Sequence, residues 1–130
     1  MLSREPEQVL QRLRVICLAL PEGRELVSHG NPAFQVGGRM FAYFRHDHHG
    51  DGMTAACVKT TGRDEQNLLI EADPGLYSWP AYLGPSGWIS INLEPDDTDW
   101  GHIAARVRSS YLLAAPHRLA ALLAPAATAP

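Results

Sequence analysis

Apolar residues recur at helical spacing in two long segments, one near each end of the chain. In residues 3–19 they form one buried stripe, with a second over residues 100–114. The first stripe consists of Val9, Leu10, Leu13, Ile16 and Cys17, and continues to Leu20 just after the segment; the second consists of Trp100, Ile103, Ala104, Val107, Tyr111 and Ala114. Pro21 and Pro116 follow these segments and cannot continue a helix. The pattern predicts two long helices, with one or two further turns over residues 118–123.

Between these helices the apolar spacing is that of strands. Runs bounded by turn residues predict strands at 33–36, 39–45, 53–59, 76–83 and 88–93, and residues 23–27 are a further short candidate. Thr61 and Asp64 resemble a capping box that opens a short helix ending before Pro74. The order α-β-β-β-α-β-β-α predicts an α+β two-layer sandwich. Its mostly antiparallel five-stranded sheet carries the helices on one face. We expect one domain over residues 1–123 and a flexible tail over 124–130.

The Gly37-Gly38 pair predicts a two-residue hairpin turn, which also sets the direction of the flanking side chains. In such a hairpin Val36 and Arg39 point to the same side. Regular alternation then places Phe34, Val36, Phe41 and Tyr43 on the core face, and Gln35, Met40, Ala42 and Phe44 on the opposite face.

Composition limits the classes of function. The 130 residues are 45% hydrophobic and 19% charged, with a net charge of −3. Residues 1–63 carry eight basic and six acidic side chains (+2), and residues 64–130 carry three and eight (−5). This overall charge does not attract nucleic acid, so such binding needs a local patch. No apolar run reaches about 20 residues and no signal-peptide pattern is present, which predicts a cytoplasmic protein with Cys17 and Cys57 reduced.

Three blocks of sequence resemble the MmcQ/YjbR family of small bacterial proteins, over residues 5–123. They are Ser-His-Gly-Asn-Pro-Ala-Phe-Gln-Val-Gly-Gly-Arg-Met-Phe-Ala (28–42), Trp-Ile-Ser-Ile-Asn-Leu (88–93) and Ser-Ser-Tyr-Leu-Leu-Ala (109–114). The resemblance implies a fold similar to that of type III secretion chaperones. It also implies DNA binding through wing-like hairpins, here the 39–45 hairpin with the 46–52 loop and the turn at 84–87. This chain has Arg39 where family members often have lysine, and it is less basic than many of them.

Two surface sets are candidates for binding. A basic set, Arg39, Arg45, Lys59 and Arg63, could grip a phosphate backbone, with Phe44 and Trp88 available for base stacking. The apolar set Met40, Phe44 and Trp88 is instead a candidate partner surface on the sheet. The first set predicts a DNA-binding protein. The second predicts a protein-interaction module, including a homodimer.

Other chemistry has weaker support in the sequence. The segment His46-Asp47-His48-His49-Gly50-Asp51 could contribute metal ligands, but its spacing supplies no fourth ligand, so a solvated loop is expected. No nucleophile motif, phosphate-binding loop or paired carboxylate site is recognisable, which predicts a protein without enzymatic activity or a cofactor. A small-ligand site in a groove between sheet and helices is a third alternative.

Overall fold

The structure is a computed structural model that describes residues 6–47 and 50–128. Four helices and six strands alternate in the order α-β-β-β-β-α-β-β-α-α. The helices are α1 (Pro6–Leu18), α2 (Arg63–Ala72), α3 (Trp100–Ala114) and α4 (His117–Thr128). The strands are β1 (Arg24–Ser28), β2 (Asn31–Val36), β3 (Arg39–His46), β4 (Thr54–Lys59), β5 (Tyr77–Ser78) and β6 (Trp88–Asn92).

The strands form one open sheet in the order β1-β2-β3-β4-β6-β5, and every neighbouring pair is antiparallel. The predicted α+β class and antiparallel sheet are confirmed. The sheet has six strands rather than the five predicted, because residues 24–28 pair fully with β2 as an edge strand. We call the sheet face that packs against α1 and α3 the inner face and the opposite one the outward face.

The inner face holds the hydrophobic core. Phe34, Phe41, Ile89 and Ile91 of the sheet are fully buried there with residues of α1 and α3, among them Leu13 and Tyr111. The Phe41 and Tyr111 rings meet edge-on, with centroids 5.4 Å apart. The stripes predicted for α1 and α3 therefore do pack against the sheet.

A β-bulge in β3 changes which side chains reach the core. Phe34 pairs with Ala42 and Gln35 with Met40, so Phe41 is an extra residue opposite β2. Beyond the bulge, Ala42 and Phe44 face inward and Tyr43 faces outward. The prediction that Tyr43 lies in the core and that Ala42 and Phe44 lie on the opposite face is therefore wrong, because the alternation shifts by one residue.

The segment predicted as a strand over residues 76–83 is a strand only at Tyr77–Ser78. Pro80 cannot donate a ladder hydrogen bond, and Tyr82 has a positive φ of 67°, so residues 79–87 form a loop with a 3-10 turn at Gly84–Ser86. We call residues 79–87 the cover loop, because part of it lies over the outward face. Gln66 anchors it, as its buried Nε2 donates to the carbonyls of Gly84 (2.8 Å) and Trp88 (2.6 Å).

The ends of the chain agree only partly with the sequence prediction. The helix start predicted at Ser3 lies outside the described residues, within which α1 begins at Pro6. At the other end, the one or two turns predicted over 118–123 are a longer helix, α4, that continues to Thr128. Flexibility of residues 124–130 stays a prediction. Within residues 6–47 and 50–128, no helix has the length and apolar character needed to cross a bilayer.

Candidate functional site

Within the described strands, the outward face carries cations and no carboxylates. Register and alternation place Arg24, Arg45 and Lys59 on this face. Glu25 is the one acidic residue within the six described strands, and it faces α1, where Arg14 donates to its two carboxylate oxygens at 2.5 and 2.9 Å. The sheet therefore presents positive charge on the side away from the helices, although the chain as a whole is negative.

The structure separates the basic set predicted from the sequence. Arg45 pairs with Ala55, so Lys59 lies four residues further along β4, about 13 Å away on the same face. Arg63 opens α2 and places its guanidinium over the ring of Trp79, 5.2 Å from the centroid. Arg39 pairs with Val36 and is directed to the inner side of the hairpin. Arg45 and Lys59 share the face, whereas Arg39 does not.

The apolar set predicted from the sequence does not form one exposed surface. Phe44 belongs to the core and is 5% exposed, because the bulge turns it inward. Trp88 does face outward, but it is only 6% exposed and packs against Tyr43, with ring centroids 5.3 Å apart. Met40 is half-buried. The accessible aromatic side chains on this side are instead Tyr82, which is 77% exposed, and Trp79, which is 42% exposed, both from the cover loop.

A cavity of about 480 Å³ opens between the cover loop and the β1–β2 end of the outward face. Its lining includes His29, Asn31, Tyr43, Arg45, Tyr82 and Leu83. Its volume is within the range of small-molecule sites, and its lining combines aromatic surface with one cation and several hydrogen-bonding groups. We call this the tyrosine pocket.

Two residues of the tyrosine pocket have left-handed backbone conformations. His29 has a φ of 53° and Tyr82 a φ of 67°, a region that residues other than glycine rarely adopt. At the β1–β2 turn, the Asn31 side chain donates to the His29 carbonyl (3.3 Å), which fixes the turn beside the cavity. Strained residues cluster at binding sites more often than elsewhere, so these two conformations favour a binding role for the pocket.

Arg45 lies between the tyrosine pocket and a smaller cavity of about 140 Å³, which Asp51, Trp79, Ser90 and Asn92 help to line. Its Nη1 donates to the Ala81 carbonyl at 3.1 Å, and its buried Nε has no acceptor among the described residues. Burial raises the pKa of the nearby Cys57 thiol, and the Arg45 charge offsets part of that rise. Arg45 is therefore a half-buried cation whose hydrogen-bonding capacity is incompletely used.

The histidine-containing loop gives no support for a metal site. Asp47 accepts the Gly52 amide (2.7 Å) and Asp51 the Met53 amide (2.8 Å), so both carboxylates are engaged in shaping the loop. His46 contacts the Thr54 hydroxyl through Nδ1 at 2.9 Å. His48 and His49 lie outside the described residues. Elsewhere in the described chain, no group of three or more His, Cys, Asp or Glu side chains is placed to hold a metal ion.

The sequence and the fold are both similar to those of known proteins. The model of the YjbR family matches residues 18–113, which is most of the chain. The chain belongs to the YjbR family. Its fold is similar to that in the crystal structure of Deinococcus radiodurans protein DR2400, which has a DUF419 domain. The TM-score is 0.67 at 24% identity, over 84% of this chain and 80% of that one. No curated protein matches the sequence. Resemblance to type III secretion chaperones stays a prediction.

Sequence reasoning missed several outward residues of this YjbR-family chain. Arg24 could have been found from the alternation of Arg24, Leu26 and Ser28, if residues 24–28 had been assigned to the sheet. The pattern places Tyr43 in the core because the bulge leaves no mark in the uninterrupted apolar run from Met40 to Phe44. Tyr82 lies in a segment that was predicted as a strand. The cover loop, rather than the turn at 84–87 alone, is what borders the outward face.

Proposed function

We propose that this YjbR-family protein binds DNA through the outward face of its sheet. The observation that carries the proposal is the sorting of charge, since Arg24, Arg45 and Lys59 face outward and the one carboxylate within the described strands faces the helices. The cations provide the local patch that a chain of net charge −3 needs for phosphate binding.

The aromatic residues support the same proposal. Tyr43 lies on the face between the cations, and Trp79 and Tyr82 border it from the cover loop. Aromatic rings beside a cationic sheet are the usual means by which proteins stack on bases without reading a particular sequence. Within the 39–45 hairpin, which the family resemblance predicts to bind DNA, Arg45 is the cation that faces the proposed interface. Arg39, which is directed to the inner side, is not part of the proposed interface.

Fluorescence anisotropy with labelled DNA, single-stranded and duplex, tests the proposal. With about three phosphate contacts, binding should weaken about 20-fold for single strands and about 40-fold for duplex between 50 and 200 mM salt. Arg45→Gln and Lys59→Gln should each weaken binding to whichever form binds and reduce the salt dependence.

Arg118→Gln is the matched control, because Arg118 lies on the helix side, where it pairs with the exposed Glu22 at 3.1 Å. It should leave DNA affinity unchanged. Absence of binding to both forms at 50 mM salt would overturn the proposal. Equal losses in all three variants would also overturn it, since they would show a nonspecific effect of charge. The protein-interaction module predicted from the sequence would then be the better account, with the mass in solution as its first measurement.

A further inference from the structure

We infer that the tyrosine pocket takes one unpaired nucleobase, with the adjacent phosphate on Arg45, so that the protein prefers single-stranded DNA to duplex. The inference deepens the proposed function and rests on it. The ligand expected in this cavity is a flat aromatic ring that is joined through a sugar to a phosphate.

The shape and chemistry of the pocket favour a base. The cavity has a volume of about 480 Å³. Tyr43 lines it from the sheet and Tyr82 lines it from the cover loop. Every nucleobase has an aromatic face that such rings can stack on. Asn31 and His29 at the rim supply the hydrogen-bonding groups that base edges need. A base within a duplex is stacked between its neighbours and cannot enter a cavity of this kind without being flipped out.

Arg45 supplies the counterpart for the phosphate. It lines the tyrosine pocket and also the smaller cavity on its other side. A phosphate bound to Arg45 would therefore lie next to a base in the tyrosine pocket. Its guanidinium is half-buried, makes a hydrogen bond to Ala81, and retains a buried Nε without an acceptor among the described residues. A phosphate oxygen would give this cation a charge-assisted partner, which is stronger in a partly buried setting than at a fully exposed one.

The exposed Tyr82 conformation fits this role. Tyr82 has a φ of 67°, which is strained for an aromatic residue, and its side chain is 77% exposed beside the pocket. Stacking on a ligand ring would bury that side chain. The strain is then a consequence of holding the ring over the cavity.

The experiment compares three labelled probes of equal length: single-stranded oligothymidylate, the same backbone with every base replaced by an abasic site, and duplex DNA. The abasic strand keeps the phosphates and loses only the bases. We expect the full protein to bind oligothymidylate about 5- to 150-fold more tightly than the abasic strand, which corresponds to stacking of one base. Duplex DNA should also bind more weakly than oligothymidylate.

Tyr82→Ala locates the effect. It should lower affinity for oligothymidylate and leave affinity for the abasic strand unchanged, and folding is not endangered because the side chain is exposed. Leu68→Ala is the matched control, since Leu68 is 66% exposed on α2, away from the pocket. Equal binding of abasic and base-containing strands would overturn the inference. So would a Tyr82→Ala loss that is the same on both strands. In either case salt-dependent DNA binding would survive, so the proposed function and this inference fail separately.

Discussion

The Ser110 hydroxyl, in the C-terminal half of α3, donates a hydrogen bond of 2.6 Å to the Phe41 carbonyl. The same oxygen accepts the Lys59 amide at 2.8 Å. It therefore bridges two backbone groups of adjacent strands at the end of β3 and β4, next to the bulge. Ser110 is completely buried, so this bridge replaces a direct ladder hydrogen bond with one that passes through a helix side chain.

Replacing Ser110 by alanine should therefore destabilise the protein by about 2–4 kcal/mol, because the Phe41 carbonyl and Lys59 amide would both be left buried without a partner. Urea denaturation measures the change. The neighbouring Ser109 is exposed, and Ser109→Ala should change the free energy of unfolding by less than about 0.5 kcal/mol. Similar effects of the two substitutions would show that the bridge contributes nothing.

The Gln66 side chain should determine how firmly the cover loop is held. Gln66→Leu keeps the volume but removes both hydrogen bonds to the Gly84 and Trp88 carbonyls, so we expect a loss of about 1–3 kcal/mol. Hydrogen exchange of the amides of Gly84 and of residues 86–88 should accelerate more than that of the strand amides of β2. Asn67→Leu, at the exposed neighbouring position, is the control and should leave those amides protected.

Gln66→Glu should add a pH dependence in a defined direction. A buried carboxylate facing two carbonyl oxygens has a raised pKa in the folded protein, so the charged form is disfavoured by folding. The variant should be least stable at neutral pH and should regain stability as pH falls and the carboxyl becomes protonated. Chemical denaturation at a series of pH values measures this. A variant whose stability relative to wild type does not improve on acidification would show that position 66 is solvated.

Gly84 is close to Trp79, and that contact makes a second test of the cover loop. A Cβ at position 84 would overlap the Trp79 indole. Gly84→Ala should therefore displace the ring and cost about 1–3 kcal/mol. In a Trp79→Ala background the same change should cost much less, which a double-mutant cycle detects. Gly75→Ala is the control, because its nearest contact, the Asp73 carboxylate at 3.7 Å, is ordinary. Additivity of Gly84→Ala and Trp79→Ala would contradict the contact.

The Arg14–Glu25 pair predicts part of the acid sensitivity of the fold. The hydrogen bond from Arg14 lowers the pKa of Glu25 below its usual 4.5. A carboxyl with a depressed folded-state pKa stabilises the protein above its unfolded-state pKa, and that stabilisation is lost as pH falls through the folded-state value. The difference in stability between wild type and Glu25→Gln should therefore shrink as pH falls below about 4.5. Glu71→Gln, at an exposed position on α2, should show a smaller difference at every pH. A Glu25→Gln difference that is constant from pH 7 to pH 3 would contradict the pairing.

The sequence predicted the α+β class and the antiparallel sheet because the helices have regular stripes and the Gly37-Gly38 turn has few alternatives, but its element order lacked β1 and α4. It could not predict the direction of Tyr43 and Phe44, since the run from Met40 to Phe44 is apolar at every position and fits either alternation. The tyrosine pocket could not be predicted from the sequence either. It brings together residues 29, 31, 43, 45 and 82, which are far apart in the sequence, and Tyr82 belongs to a loop that Gln66 anchors at Gly84 from α2.

The bulge at Phe41 shifts the alternation of side chains along β3 by one residue. Upstream of it, Arg39 and Phe41 belong to the inner register; downstream, Ala42 and Phe44 take that register over. If the same residues alternated regularly through Phe41 without a bulge, Phe44 would face outward and Arg45 would face the core. The bulge therefore places Arg45 on the outward face, where a ligand can reach it, and Phe44 in the hydrophobic core.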